Sequence, residues 1–105
     1  MYVIIWEFLI KPGCEQEFEQ AYGKEGEWVR FFKRGDGYID TTLNRDVTRS
    51  GRYMTIDRWT TQAAYDTFRP QHIKEYDAID QRCESLTEKE IHIGSFLTVV
   101  DLGRE

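Results

Sequence analysis

Between Gly51 and Pro70 the chain reads GRYMTIDRWTTQAAYDTFRP, and within that stretch the apolar period changes once. Tyr53, Thr55, Asp57 and Trp59 alternate with Met54, Ile56 and Arg58, which is the period of a strand. Ala64, Tyr65 and Phe68 then repeat at helical spacing, after Thr60 and Thr61, either of which can cap a helix. A strand that runs straight into a helix calls for a layered fold in which the helix lies back on the sheet. The first side of that strand mixes rings, hydroxyls and a carboxylate. Such a face suits a small-molecule pocket or a dimer seam, and the pattern favours the seam.

The rest of the chain repeats the theme. Tyr2 to Ile10 is β-branched and aromatic and is closed by the turn pair Pro12 and Gly13, so it reads as the first strand. Phe18, Ala21 and Tyr22, then Trp28, Val29, Phe31 and Phe32, have helical spacing on either side of Gly23 and Gly26, giving one helix or two. Gly35 and Gly37 turn the chain into a second strand, YIDTTLNRD, which forms a hairpin with the third, Arg52 to Trp59. Pro70 disfavours a helical Arg69 and is expected to open a second helical piece with Ile73, Tyr76, Ile79, Cys83 and Leu86 as its buried stripe. EIHIGSFLTVVDL is the last strand, with Gly94 at a bulge or bend.

The order strand, helix, strand, strand, helix, strand is that of an α+β, ferredoxin-like βαββαβ fold with a four-stranded antiparallel sheet and helices on one face. Its other face should then be polar, and it is not. The first strand offers Tyr2, Ile4, Trp6, Phe8 and Ile10 on one side and Val3, Ile5 and Leu9 on the other, while the last opposes Phe96, Thr98 and Val100 to Ile91, Ile93, Leu97 and Val99. Two apolar faces with helices enough for one call for a second cover, most simply another copy of the same sheet.

A chain of 105 residues, 40% hydrophobic and 31% charged, reads as one soluble domain, 1–105. Its net charge of -5 argues against a nucleic-acid partner, because phosphate binding draws on a basic surface. The apolar start is interrupted by Glu7 and ended by Lys11, Pro12 and Gly13, so neither a signal peptide nor a membrane span is expected. Cys14 and Cys83 lack a CxxC partner or a neighbouring His, which fits two reduced thiols in a cytoplasmic protein.

Three stretches, EFLIKPGCEQEFEQAY, GYIDTTLNRD and GRYMTIDRWTTQAAYDTF, make the chain resemble the antibiotic biosynthesis monooxygenase (ABM) domain family of dimeric α+β barrels, over Tyr2 to Val100. The resemblance implies a homodimer whose two sheets close a barrel, each chain keeping a pocket between its sheet and helices. It also implies oxygenation of polyphenolic aromatics such as anthrones or quinols, with O₂ as co-substrate and neither metal nor flavin. Trp59 and Tyr65 match the pocket Trp and Tyr of the aromatic-oxidising members and are the candidate catalytic pair. Thr55 stands where those members have a substrate-binding Asn, and Arg82 is the nearest match to an Arg late in the second helix. Phe68 and Trp28 complete the expected aromatic slot.

The haem-degrading branch of the same fold holds haem through a His on the second helix. His72 lies in that region, although Trp6 replaces that branch's strand-one Asn. Haem is therefore the alternative cofactor, and a non-catalytic dimeric small-molecule-binding module the alternative to an enzyme. His72 and His92 form no metal motif by spacing. Carboxylates Asp77, Asp80 and Glu84 read as a solvated helix face, as do Glu15 and Glu19. Asp40 and Asp57 alternate with Tyr38, Thr42, Tyr53 and Trp59, and if they face inward each needs a partner such as Arg45, Arg52 or Arg58. Burial would otherwise raise the pKa and make a base.

Overall fold

A computed structural model describes residues 1–100. Strands β1 (Tyr2–Ile10), β2 (Tyr38–Arg45), β3 (Arg52–Trp59) and β4 (Thr87–Leu97) form one antiparallel sheet in the order β2-β3-β1-β4. Helices α1 (Glu15–Tyr22), α2 (Glu27–Phe32), α3 (Gln62–Gln71) and α4 (Ile73–Cys83), the last continued by a 3₁₀ turn at Glu84–Leu86, supply the other layer. This is the expected ferredoxin-like α+β fold. The first helical region divides at its glycines, and Thr61 caps α3 by accepting the Ala64 N–H.

The core is aromatic and lies between this helical layer and one face of the sheet. Tyr2, Ile4, Phe8 and Ile10 of β1 and Tyr53 and Trp59 of β3 are buried with Phe18, Tyr22, Trp28, Phe31, Phe32, Phe68, Ile79 and Cys83 from the helices. The face of β3 that the sequence pattern favours as a dimer seam is instead covered by the chain's own helices. Tyr53, Thr55, Asp57 and Trp59 are all buried there, so it is not a seam.

Several local expectations give way to packing. Pro70 does not open a helix; it lies near the end of α3, which runs on to Gln71, and the break falls at His72. Phe68 is buried, and the helix that carries it is anchored through its proline, where only the last turn loses a hydrogen bond. The break at His72 resets the helical phase, so Ile73 is exposed while Ile79, Cys83 and Leu86 are buried as expected.

Bulges change parity in both edge strands. In β2 the register slips between Tyr38 and Asp40, so Thr41 rather than Asp40 lies opposite Asp57. In β4 it slips at Ile93, beside the anticipated Gly94, and places Ile91 and Phe96 on the same side, opposite Glu7 and Val3. The Phe96 ring covers Gly94 so closely that a Cβ there would come within 2.7 Å of it. β4 begins at Thr87 and ends at Leu97; the Asp101 and Leu102 end of the expected strand lies outside the described residues.

Candidate functional site

The helix-facing side of the sheet is not packed solid. Between it and the helices lies a cavity of about 30 Å³, room for one or two water molecules. Every helix and strand except α3 contributes to its wall. Trp6 and Phe8 come from β1, Tyr22 from α1, Trp28 and Phe32 from α2, and Tyr76 from α4. The polar members are Thr41 of β2, Thr55 and Asp57 of β3, and Glu90 of β4.

Asp57 is the chemical centre of this wall. It is 8% exposed, and among the described residues its one hydrogen-bond donor is the Thr41 hydroxyl at 2.7 Å. Because that hydroxyl's proton is directed at the carboxylate, the Tyr38 hydroxyl, 2.7 Å from the same oxygen, donates to Thr41. Burial pushes the Asp57 carboxyl up to about 6, with the Thr41 bond opposing. At neutral pH it is therefore largely ionised, buried and short of donors from the chain, which is the condition of a general base.

Glu90, solvent-exposed on the edge strand, forms the rim at the other end of the wall. On the helix-facing side it pairs across β1 with Phe8, whereas Asp57 pairs with Ile4, two rows along. Burial first, and then the charges of Asp80 and Glu84, lift Glu90 to about 6 as well. Burial also raises the phenols of Tyr22 and Tyr76, so both stay protonated. Trp28 stacks on Phe32 and meets Tyr76 edge-on; its buried indole N–H lies beside the Tyr22 hydroxyl and the Cys83 sulfur without a well-formed hydrogen bond to either.

Of the residues expected at a site, Thr55 and Trp28 meet at this cavity. Trp59 and Tyr65 meet each other one layer away. Trp59 is 0% exposed, its ring 5.4 Å from those of Tyr38, Tyr65 and Phe68, and Gly35 leaves room for it, since a Cβ there would approach within 3 Å of both Trp59 and Phe68. Burial raises the Tyr65 phenol, opposed by Arg69. Arg82 lies on the surface, where its Nε and Nη2 both donate to Glu27. His72 packs 4.5 Å from the Phe68 ring, and its Nδ1 lies 3.2 Å from the Arg34 guanidinium, which also binds Glu75.

The reason for this division is that α3, which carries Tyr65 and Phe68, covers the Trp59 end of β3, while the cavity lies under α1, α2 and α4. Tyr22 and Tyr76 were legible only as members of buried helical stripes. Thr41 and Glu90 carried no sequence signal for the site, because the β2 bulge and the placement of β4 bring them there. Asp40, turned to the opposite face, is held by Arg58 at 2.6 Å.

The family model for antibiotic biosynthesis monooxygenases matches residues 1–72. The chain belongs to that family. No match was found among curated proteins. Among solved structures, SnoaB, a cofactor-independent oxygenase from Streptomyces nogalater, is 21% identical with a TM-score of 0.79, over 98% of this chain and 97% of that one. The haem degrader MhuD from Mycobacterium tuberculosis, with two haems bound in its active site, is 17% identical with a TM-score of 0.72, over 98% and 100%. At such identities the likeness is one of fold.

A haem does not fit the residues present. No His lines the cavity among the described residues, His72 faces Arg34 on the far side of Phe68, and no cluster of three metal-ligating side chains exists among the described residues.

Proposed function

We propose that this family member is a cofactor-independent monooxygenase of a small aromatic compound of the quinol or anthrone type, with Asp57 as the base. The observation that carries this reading is the buried carboxylate on an aromatic cavity wall, held by a single hydroxyl. Asp57 takes a proton from the acidic phenol or methylene, and the resulting carbanion or phenolate is electron-rich enough to reduce O₂. A CH₂ group and O₂ give C=O and water, so the substrate supplies all the electrons and no external reductant enters. In this reading the Thr55 hydroxyl, on the same wall as Asp57, stabilises the anion, and the aromatic wall limits access of bulk water. Trp59 and Tyr65 fix the junction of β3 and α3 behind Asp57. A ring enters by displacing Trp6 and Tyr76, both half-buried members of the wall.

The reading includes a homodimer. On the back of the sheet Val3, Ile5, Leu9, Met54, Ile56 and Ile91 are half-buried and Phe96 is 49% exposed, an apolar face larger than isolated surface residues make. A second copy of the sheet is the cover proposed for it. Free Cys14 and Cys83 suit a cytoplasmic location, and no helix among the described residues is long and apolar enough to cross a membrane.

Oxygen uptake in chelator-containing buffer, across a panel of anthrones and quinols, tests the activity. At least one compound should be turned over, and Asp57→Asn should lower the rate at least about 100-fold. No uptake by the parent protein across the panel would contradict the oxygenase and leave a binding module. A one-to-one haemin spectral shift abolished by His72→Ala would instead bring haem back.

A further inference from the structure

Residues three apart in an unbroken strand face opposite sides of the sheet. Tyr38 and Thr41 face the same side, because the bulge after Tyr38 leaves it opposite Trp59 and puts Thr41 opposite Asp57. The bulge thereby builds a chain of three oxygens, Tyr38 to Thr41 at 2.7 Å and Thr41 to Asp57 at 2.7 Å. Thr41 has a single hydroxyl proton, which the ionised carboxylate takes, so Tyr38 is left as the donor to Thr41. Donors linked in this way strengthen one another. The Tyr38 ring is fixed independently of the chain, its centroid 5.7 Å from Phe32 and 5.4 Å from Trp59. Thr41 lines the cavity; Tyr38 does not, and both line a groove of about 350 Å³ on the outer side of β2. The chain thus approaches Asp57 from the side away from the substrate's place. Burial holds the Tyr38 phenol above its ordinary value, so it keeps its proton while Asp57 titrates.

We propose that Tyr38 is a positioning residue for Asp57: clamped by Phe32 and Trp59, it keeps the Thr41 proton directed at the carboxylate and so holds the base in its proton-accepting form. The inference rests on Asp57 being the base of the proposed reaction. The other groups around Asp57 do not share this role. Its β1 neighbour is Ile4, and α2 brings Trp28 and Phe32, none of which titrates. Tyr65 of α3 feels the Asp57 charge, and Tyr22 of α1, Tyr76 of α4 and Glu90 at the rim share the cavity wall, with His92 against Trp6 beside the rim. Asp40, on the opposite face with Arg58, acts on Tyr38 through its charge. Among the described residues none of these donates a hydrogen bond to Asp57.

Two NMR readouts test the chain without turnover. In the parent, the ¹³Cζ signal of Tyr38, assigned by its loss in Tyr38→Phe, should inflect at the Asp57 midpoint, and Thr41→Val should abolish that inflection. On the Asp57 midpoint itself, Thr41→Val should act upward by about one pH unit and Tyr38→Phe by about 0.3, with Tyr38→Phe adding nothing once Thr41 is Val. Thr41→Ser keeps the hydroxyl and should preserve the Tyr38→Phe effect, while Tyr65→Phe, outside the chain, should leave the midpoint in place. A missing inflection, one that survives Thr41→Val, a midpoint unmoved or lowered in Tyr38→Phe, or an equal Tyr38→Phe shift in both backgrounds would each overturn the inference. Oxygen uptake is read separately, and the acid limb of kcat/KM in Tyr38→Phe should move up with the NMR midpoint. A coupled chain in a protein whose turnover survives Asp57→Asn sinks only the base, and turnover lost in Asp57→Asn without coupling sinks only the role of Tyr38.

Discussion

The two sides of β3 are built from the same alternating sequence and have opposite chemistry. On the side under the helices, Asp57 has one hydroxyl for a partner and is pushed up to about 6. On the other side the charged groups are matched: Arg58 binds Asp40, and Arg52 joins Glu7 to Asp46 at 2.8 Å each. Asp46, which also accepts from Thr48 and Arg49, is held well below the usual carboxylate range. A carboxylate that only stabilises is given cations and backbone donors, and its pKa falls. One kept reactive is denied them. The back face keeps its charges neutralised around an apolar centre, which suits contact with another protein surface.

The largest way to break this comparison lies on the back face. Light scattering at micromolar concentration should give twice 12.5 kDa, and Ile56→Glu should give the monomer mass. An unpaired charge buried in the seam weakens association by about 3 kcal/mol or more, over a hundredfold. A parent protein that is monomeric, or a variant whose mass is unchanged, would remove the seam from this face.

A smaller effect, of opposite sign, is expected on the front. Folding raises the Asp57 pKa from 3.8 to about 6, so the folded state binds this proton more tightly than the unfolded chain does. Its contribution to stability is present below 3.8, is lost as pH rises toward about 6, and stays lost above. Asp57→Asn should therefore raise stability near neutral pH by on the order of 2–3 kcal/mol while abolishing turnover. In urea titrations the difference from the parent should shrink as pH falls through that window. A variant less stable than the parent at neutral pH would mean that the carboxylate is structural, like Asp46.

The smallest effect concerns the junction behind the cavity. Tyr65→Phe conserves the ring against Trp59 and Tyr2 and should change stability by less than about 1 kcal/mol and turnover not at all. A substantial fall in turnover with the unfolding midpoint unmoved would return Tyr65 to the reacting centre.

The sheet and its helices were legible because each rests on a local periodicity: β1 and β3 occupy the predicted residues, Thr61 caps α3, and the β4 bulge adjoins Gly94. The site was legible where it uses β3 and at Trp28 of α2. Thr55 and Asp57 follow from alternation within one strand. Thr41 and Glu90 depend on a slipped register and on the neighbour across the sheet, neither of which has a local signal. Pro70 misled for a related reason, since a backbone bias at one residue is small beside the burial of Phe68. Trp59 drew attention by its size and its place at the strand end, and that place is closed by α2 and α3 packing rather than opened to a ligand.

The carboxyl of Asp57 itself offers the most direct test of whether the front of β3 carries a base. A ¹³C NMR titration of the aspartate carboxyls, with the Asp57 signal assigned by its loss in Asp57→Asn, should give a midpoint of about 6, rising further when Thr41→Val removes the hydroxyl that opposes the shift. A midpoint at or below the ordinary 3.8 would contradict the account, because Asp57 would then be held as firmly as the paired carboxylates on the other side of the same strand.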